Sequence, residues 1–464
     1  MSIESNGRAR GTTTSNFGVG RRESHDASGF YGRFEPPTLD DDDTVLRPEP
    51  VGEPFVVGDA RDMDSVADGS VALVVTSPPY FAGKQYEEEL ERDGIPSSYL
   101  EYLELLHDVL SDCVRVLEPG GRIAVNVANL GRKPYRSLAA DVIHILQDRL
   151  GLLLRGEIMW QKGAGATGSC AWGSFRNPSN PVLRDVTERV IVASKGRFQR
   201  ALTVDERRQR SLPSEATIST EDFMALTLDV WQTPSESARR VGHPAPFPVE
   251  LPEKLIELYT FADDLVLDPF MGSGSTLVAA SRLGRRYVGY DLDPGYVDLA
   301  RARVAEEGEP YVDDDRKQAG SKDRIAEVLA VAGFIDNEGP GVRVKGSGVT
   351  VYDAVADATG GRWLIELGGA FVRYRGGLTS ADAVWRTLGR AHALRGLAER
   401  VLVLTSALPK HRSEFDLALR AAGPAAMFDV IDVFDDDAIA RLACYAAGVD
   451  RPVPGFWHDE DLEA

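Results

Sequence analysis

Residues 265–276 read LVLDPFMGSGST, a short apolar run that ends at Asp268 and turns through Gly272-Ser273-Gly274 into Ser275 and Thr276. A run of this kind, cut off by an acid and a proline, predicts a buried parallel strand, and the LVAASRLG stretch after the turn predicts a helix. Glycines let a ligand approach the backbone, and the amides at the start of a helix favour an anionic group such as a carboxylate. Nineteen residues after Gly272, the strand-like RYVGYD ends at Asp291, where nucleotide-binding sheets place an acid for ribose hydroxyls. The turn lacks the third glycine of the dinucleotide fingerprint, which counts against a nicotinamide cofactor.

The same texture extends in both directions. FVVGDA from Phe55 and VALVVTSPPY from Val71 are apolar runs stopped by Gly, Asp or Pro. Tyr99, Leu103, Leu106, Leu110, Val114 and Leu117 follow helical spacing, and Pro119-Gly120-Gly121 separates that helix from the strand RIAVNVAN. A helix over 137–150, the strands EIMW and TERVIVAS, and a helix EKLIELYTF complete an alternation that predicts an α/β sheet covered on both faces. Residues 1–48 are polar, run through Asp40–Asp43 and predict a disordered acidic arm. A charged stretch over 306–323 predicts a linker, and 324–464 has strands and helices of its own, WLIELGGAFVRY and RVLVLTSA among them.

A chain of 464 residues is long enough for two or three units with sizeable cores. No run approaches the roughly 18 apolar residues of a membrane span, and the start has no apolar core of a signal peptide, so a cytoplasmic protein is expected. The three cysteines (Cys113, Cys170, Cys444) are scattered and the seven histidines do not cluster, so neither a disulfide framework nor a metal site is expected. A net charge of −20 argues against nucleic acid when taken as a sum. Distribution points the other way: residues 195–210 carry six Lys and Arg against two acids. That island makes Arg197, Arg200, Arg207 and Arg208 candidate phosphate contacts. The glycine-rich loop KGAGATGSCAWGSFRNPSNP is longer than connections usually are, and its Trp172, Arg176 and Asn177 suit base edges or a vacated base stack.

At the end of a strand, Ser77-Pro78-Pro79-Tyr80 makes a stiff corner: two prolines remove two amide donors and leave carbonyls without ladder partners. The Ser77 hydroxyl and the Pro78 carbonyl can accept hydrogen bonds from an amino group, while Tyr80 can stack on a flat ring. An aryl amine is a poor nucleophile, so polarising its N–H bonds is what a catalyst must do there.

Taken together, TSPPY, DPFMGSGST, HPAPFP and GYDLD resemble the amino-methyltransferases of restriction-modification type, which methylate an exocyclic amine of a DNA base with S-adenosylmethionine. The resemblance covers roughly residues 52–305, and the catalytic motif precedes the cofactor turn by about 190 residues, the permuted order of the β class. It implies a Rossmann-like α/β methyltransferase domain over 49–305, with target recognition in 163–181 and 195–240. It further implies that Phe270, Gly272 and Gly274 line the methionine end of S-adenosyl-L-methionine, with Asp268 near its amino group and His243 to Phe247 beside it. Asp291 would hold the ribose and Asp59 would approach the adenine. Ser77, Pro78, Pro79 and Tyr80 become the catalytic set acting on a flipped base in double-stranded DNA, with a cognate restriction endonuclease as a further partner. In this family a leading Ser favours N4 of cytosine and a leading Asp or Asn favours N6 of adenine. Cytosine C5 chemistry needs a Pro-Cys nucleophile, and no such dipeptide occurs. Two other readings are an RNA or protein amine methyltransferase, which the motif order disfavours, and a non-catalytic DNA-binding or adaptor subunit.

The C-terminal region is expected to be a separate α/β or α+β domain. Asp353 and Glu366 on two strand-like pieces faintly resemble a PD-(D/E)xK nuclease core, yet Gly368 stands where the lysine should be. A degraded nuclease-like fold, a recognition or dimerisation domain and an active nuclease are the open readings.

Overall fold

The computed structural model describes residues 39–47, 51–79, 98–129, 135–162, 173–183, 185–236, 247–310, 321–372, 374, 376–395, 397 and 400–463. The first part contains strands β1 (Phe55–Val57) and β2 (Val71–Thr76), helix α1 (Tyr99–Val116) and strand β3 (Leu117–Val127). Next come α2 (Leu138–Ile143), continued by a π-helical turn to Arg149, then β4 (Leu153–Gln161) and β5 (Thr187–Ser194). Short helices α3 (Val204–Gln209) and α4 (Thr220–Leu226) lead to β6 (Val230–Gln232). The part closes with α5 (Glu250–Tyr259), β7 (Leu265–Asp268), α6 (Ser275–Arg282), β8 (Arg286–Asp291) and α7 (Pro294–Glu307).

Among the described residues these strands form one eight-stranded sheet in the order β1-β8-β7-β2-β3-β5-β4-β6. Every neighbouring pair is parallel except those made by β5, which is antiparallel to both β3 and β4. β2 and β7 are therefore adjacent although far apart in sequence. After β7 the chain moves through α6 to β8, and after β2 it moves through α1 to β3, on the opposite side. Connections that part in this way leave a crevice at the carboxyl ends of the two strands, where ligands of open α/β sheets bind.

The pleat divides the core. Val74, Ile123, Val125, Ile191 and Leu267 face α1 and α2 in one cluster. Leu73, Val75, Ala124, Val190 and Val192 face α5 and α6 in another. Strands apolar on both faces are the signature of a sheet covered on both sides, which is the α/β architecture expected from the runs of Val, Ile and Leu. Helix α1 stops at Val116, before Pro119, and its amino end is capped by the Ser98 side chain. The diglycine expected to separate α1 from the next strand lies inside β3, and a Cβ on Gly120 would meet the Gln199 carbonyl at 2.0 Å.

The basic island departs from its expected role. Because β5 runs against its neighbours, the chain leaving it at Ser194 emerges toward the amino end of the sheet, beside Arg122, where the β3–β5 ladder begins. There the buried Arg207 and the half-buried Arg200 face two buried acids. Arg200 pairs with Glu118 and, at 3.1 Å, with Asp264; Arg207 reaches Asp264 at 3.1 Å and Glu118 at 3.5 Å. These two arginines are structural ties, their guanidinium groups already taken by Glu118 and Asp264. Arg197 donates to the Asp42 carbonyl and the exposed Arg208 pairs with Asp205, both at this same amino-end edge. Part of the arm is also fixed here: the Asp40 amide donates to the Gly196 carbonyl at 2.7 Å.

The second part contains α8 (Ser321–Ala332), β9 (Asp336–Asn337), β10 (Val342–Arg343), β11 (Thr350–Val351), β12 (Asp353–Ala356) and β13 (Arg362–Leu367). It continues with α9 (Ala381–Leu394), β14 (Arg400–Thr405), α10 (Glu414–Ala422), β15 (Asp429–Asp432), α11 (Asp436–Ala446) and α12 (Asp459–Glu463). Five strands form a mixed sheet in the order β15-β14-β13-β12-β9 around a Trp363-centred core, separate from the first sheet. The ends of the expected linker belong to α7 and α8; residues 311–320 lie outside the described residues.

Asp353 lies opposite Ile365 in the ladder, so Glu366 projects from the other face, where Arg390 of α9 binds it. Carboxylates on opposite faces of a sheet cannot share a metal ion, and the nuclease-like pairing of Asp353 with Glu366 is overturned on that ground. No helix is long and apolar enough to cross a membrane, and no group of three or more His, Cys, Asp and Glu gathers, among the described residues.

Removing one partner of a buried ionic network strands the remaining charges. Arg207→Met is expected to lower the unfolding free energy by about 3 kcal/mol, read by urea denaturation. A loss near zero would mean that the network contributes nothing to the fold.

Candidate active site

The carboxyl end of β2 delivers Ser77, half-buried, and Pro78, buried, into the crevice beside β7. Tyr80, the fourth member of the expected catalytic set, lies outside the described residues, as do Trp172 and His243. Pro79 is half-buried at the corner.

What ties the two strand ends together is Asp268. This carboxylate is fully buried and accepts from the Thr76 hydroxyl on one oxygen and from the Thr276 hydroxyl on the other, each at 2.7 Å. The Phe270 amide donates to it at 3.1 Å. Thr76 is the residue before Ser77, and Thr276 lies in the first turn of α6, so one side chain fixes the serine corner, the strand and the helix start. Asp268 was expected beside the cofactor's amino group. Its solvent-inaccessible oxygens make it a brace that acts through the turn it holds. Burial pushes its carboxyl up to about 6, against the hydroxyl and amide bonds that favour the ionised form.

The turn itself is shaped by its glycines. Gly274 sits at φ +78, where a Cβ would lie 2.8 Å from the Ala300 Cβ, so only glycine fits. No side chain caps α6, which leaves its first-turn amides to a ligand. Asp291, at the end of β8, accepts from the Gly272 amide at 3.0 Å and from the Asp293 amide at 2.9 Å. Burial raises its carboxyl above the usual range. Gly58 donates to the Asp291 carbonyl, which places Asp59 at the neighbouring strand end. Arg61 binds the Asp59 carboxylate and holds its pKa down. Phe270 is half-buried between turn and sheet. The Phe247 carbonyl accepts from Ser275 at 2.9 Å, which pins the segment before α5 onto the start of α6. A glycine cradle, an uncapped helix start and a carboxylate at the next strand tip form a donor and acceptor set that fits an amino-acid carboxylate and a ribose on one nucleoside.

The loop after β4 emerges at this same carboxyl end, because Gln161 pairs with Thr187 at the start of β5. Arg176 and Asn177 are exposed on it. Asn177 shapes a local turn by accepting from the Ser179 amide, and Arg176 holds φ +55.

Sequence reasoning did not single out Thr76, Thr276, Asn126, Glu188 or Lys162. The last three stand beside Ser77: the Asn126 amide group donates to Ser77 at 3.4 Å and to Glu188 at 2.6 Å, and Lys162 pairs with Glu188. The readable signal was parity. On the α5/α6 face the residues Val75, Ala124, Val190 and Trp160 are followed, two positions nearer the carboxyl rim, by Ser77, Asn126, Glu188 and Lys162.

Comparison with known proteins bears on the same region. A family model described as DNA methylase, covering N6 and N4 enzymes, matches residues 71–302. The chain is 31% identical to the Type II methyltransferase M.MthZI of Methanothermobacter thermautotrophicus over 271 residues, 53% of this chain and 75% of that protein. It is 28% identical to the Type II methyltransferase M.MjaI of Methanocaldococcus jannaschii over 282 residues, 54% of this chain and 90% of that one. A Thermus thermophilus protein solved in complex with S-adenosyl-L-methionine is similar at 31% identity and a TM-score of 0.43, covering 55% of this chain and 94% of its own.

The raised carboxyl of Asp268 fixes the sign of a pH effect. Its contribution to stability is complete below the unfolded value of 3.8 and is lost as pH rises through about 6. Acidification from about pH 7.5 to about pH 5 is expected to favour the wild type over Asp268→Asn by about 1 kcal/mol in urea titrations. Identical pH dependence in the two proteins would contradict this.

Proposed function

The chain belongs to the N6/N4 DNA methylase family, and from that membership we propose that it transfers a methyl group from S-adenosyl-L-methionine to N4 of cytosine in duplex DNA. The observation that carries the reading is the Thr76–Asp268–Thr276 bridge, which sets the Ser77 corner next to the glycine turn. The turn Phe270–Gly274 and Asp291 would hold the cofactor. Once bound, S-adenosyl-L-methionine supplies an electrophilic methyl on a sulfonium.

The protein's own work is positional. Ser77 Oγ and the Pro78 carbonyl accept from the two N–H bonds of a flipped base, which directs the nitrogen lone pair toward the methyl donor. Tyr80 stacks on the ring, and unstacking the base costs a few kcal/mol that these contacts offset. Fixing two reactants at one corner removes most of the entropy of their encounter. Ser77 supports cytosine because an uncharged hydroxyl accepts from the amine without a second buried carboxylate beside Asp268. Arg176 and Asn177, on the loop that leaves the same rim, are the candidates for target contacts, with Trp172 beside them in sequence.

Single-molecule sequencing of DNA from cells expressing the protein reads both the base and its context. N4-methylcytosine at one recurrent sequence is the expected outcome, and N6-methyladenine would replace the cytosine reading. Ser77→Ala is expected to erase the mark while the protein still melts as a folded chain; persistence of the mark would remove Ser77 from the site.

A further inference from the structure

On the face of the sheet that packs α5 and α6, three strands turn from apolar to polar at the carboxyl rim and bring Lys162, Glu188 and Asn126 into a row ending at Ser77. Glu188 and Asn126 are both buried, so a carboxylate and an amide have been taken out of water at this position. They are not needed to join the strands. β3 and β5 already share a six-residue ladder from Arg122 to Val127. A buried carboxylate that is dispensable for pairing calls for another explanation.

We infer that Asn126 is a positioning residue that fixes the Ser77 hydroxyl as an acceptor for the target amine, and that Glu188 sets the orientation in which Asn126 does so. This rests on the reading of Ser77 given above. An amide –NH2 has two protons, and here one faces Glu188 Oε2 at 2.6 Å while Ser77 Oγ lies 3.4 Å from the same nitrogen. Flipping the amide would set its oxygen against the Glu188 carboxylate, acceptor against acceptor. The carboxylate thus selects the orientation that turns an N–H toward Ser77. A hydroxyl that receives this N–H has one lone pair occupied and turns its own proton away from the donor. In this role its second lone pair is the one that accepts from the incoming amine. Without Asn126 the hydroxyl can rotate and present its proton to the amine, a contact that does nothing to polarise the N–H bonds. Lys162, only partly exposed, supplies the counter-charge to Glu188 behind the amide. A separation of 3.4 Å is long for this bond, and such contacts tighten when substrate fills the site.

The test uses the full-length protein, labelled S-adenosyl-L-methionine and duplex DNA carrying the sequence found by sequencing. Single-turnover rates at saturating substrates and cofactor dissociation constants by calorimetry are measured for wild type, Ser77→Ala, Glu188→Gln, Asn126→Ala and the Glu188→Gln/Asn126→Ala pair. Glu188→Gln is expected to lower the methyl-transfer rate by about 10- to 100-fold, with cofactor affinity within about twofold of wild type. Asn126→Ala should lose a similar factor, and the double variant no more than Asn126→Ala alone, because Glu188 acts through Asn126. Should Asn126→Ala fail to fold, Asn126→Ser takes its place in the cycle. A wild-type rate in Glu188→Gln, losses that multiply in the double variant, or a parallel loss of cofactor binding would each overturn the positioning role. A wild-type protein that transfers no methyl to any DNA would instead sink the reading of Ser77, and the two failures are distinct.

Discussion

A single buried carboxylate holds the site together. Asp268 receives two hydroxyls and one amide, and each donor belongs to a different piece of the machinery: Thr76 to the serine corner, Thr276 to the helix start, Phe270 to the glycine turn. Strands β2 and β7 would lie side by side without it, since their ladder supplies backbone bonds. What the ladder does not supply is depth: how far each chain end projects beyond the last paired residue. That is set by where Thr76 and Thr276 must sit to satisfy one acid. The cost is a desolvated charge, visible in a carboxyl pushed up to about 6. Stability lost at a functional site for the sake of preorganisation is a general feature of enzymes.

The sheet turns a sequence separation into a contact. The Ser77 corner and the glycine turn near residue 272 reach one crevice because β2 and β7 are neighbours whose following helices depart on opposite sides. Permuting the order of such units along the chain leaves the crevice intact, because the crevice depends on strand adjacency and crossover direction alone. The C-terminal sheet shows the complementary lesson. Its Asp353 and Glu366 look like a pair in sequence, but antiparallel register assigns them to opposite faces, and Arg390 claims one of them.

Much of this was legible in the residues. Apolar runs ending at Asp, Gly or Pro identified β2, β7 and β8, and helical spacing identified α1. The glycine turn declared a close backbone approach, and Gly274 does adopt a left-handed conformation against Ala300. Asp268 was read as a neighbour of the cofactor's amino group, and in the structure its carboxylate accepts from Thr76 and Thr276. A strand-terminal acid reads the same whether it faces a ligand or two threonines, and the hydroxyls that bind this one come from positions 8 and 192 residues away. The Asn126–Glu188 pair was missed for a related reason. Asn126 is a lone polar residue between valines and Glu188 sits in the polar start of its strand between Thr187 and Arg189, and only the β3–β5 register makes the two neighbours.

The basic island shows why charge counted along a chain misleads. Six cations within sixteen residues look like a phosphate footprint, yet Glu118 and Asp264, distant in sequence, take Arg200 and Arg207 into the interior. The antiparallel β5 then carries the whole segment to the end of the sheet away from Ser77. Net charge misleads in the same way. A total of −20 is summed over the whole chain, whereas a phosphate responds to charges within a Debye length of about 8 Å. Among the described residues, Arg176 is exposed on the loop after β4, at the carboxyl end of the sheet. Acids such as Asp40–Asp43 lie in contact with the opposite end, where the Asp42 carbonyl holds Arg197. Which cations remain available to a phosphate is decided by the fold that pairs them, as Glu118 and Asp264 pair Arg200 and Arg207.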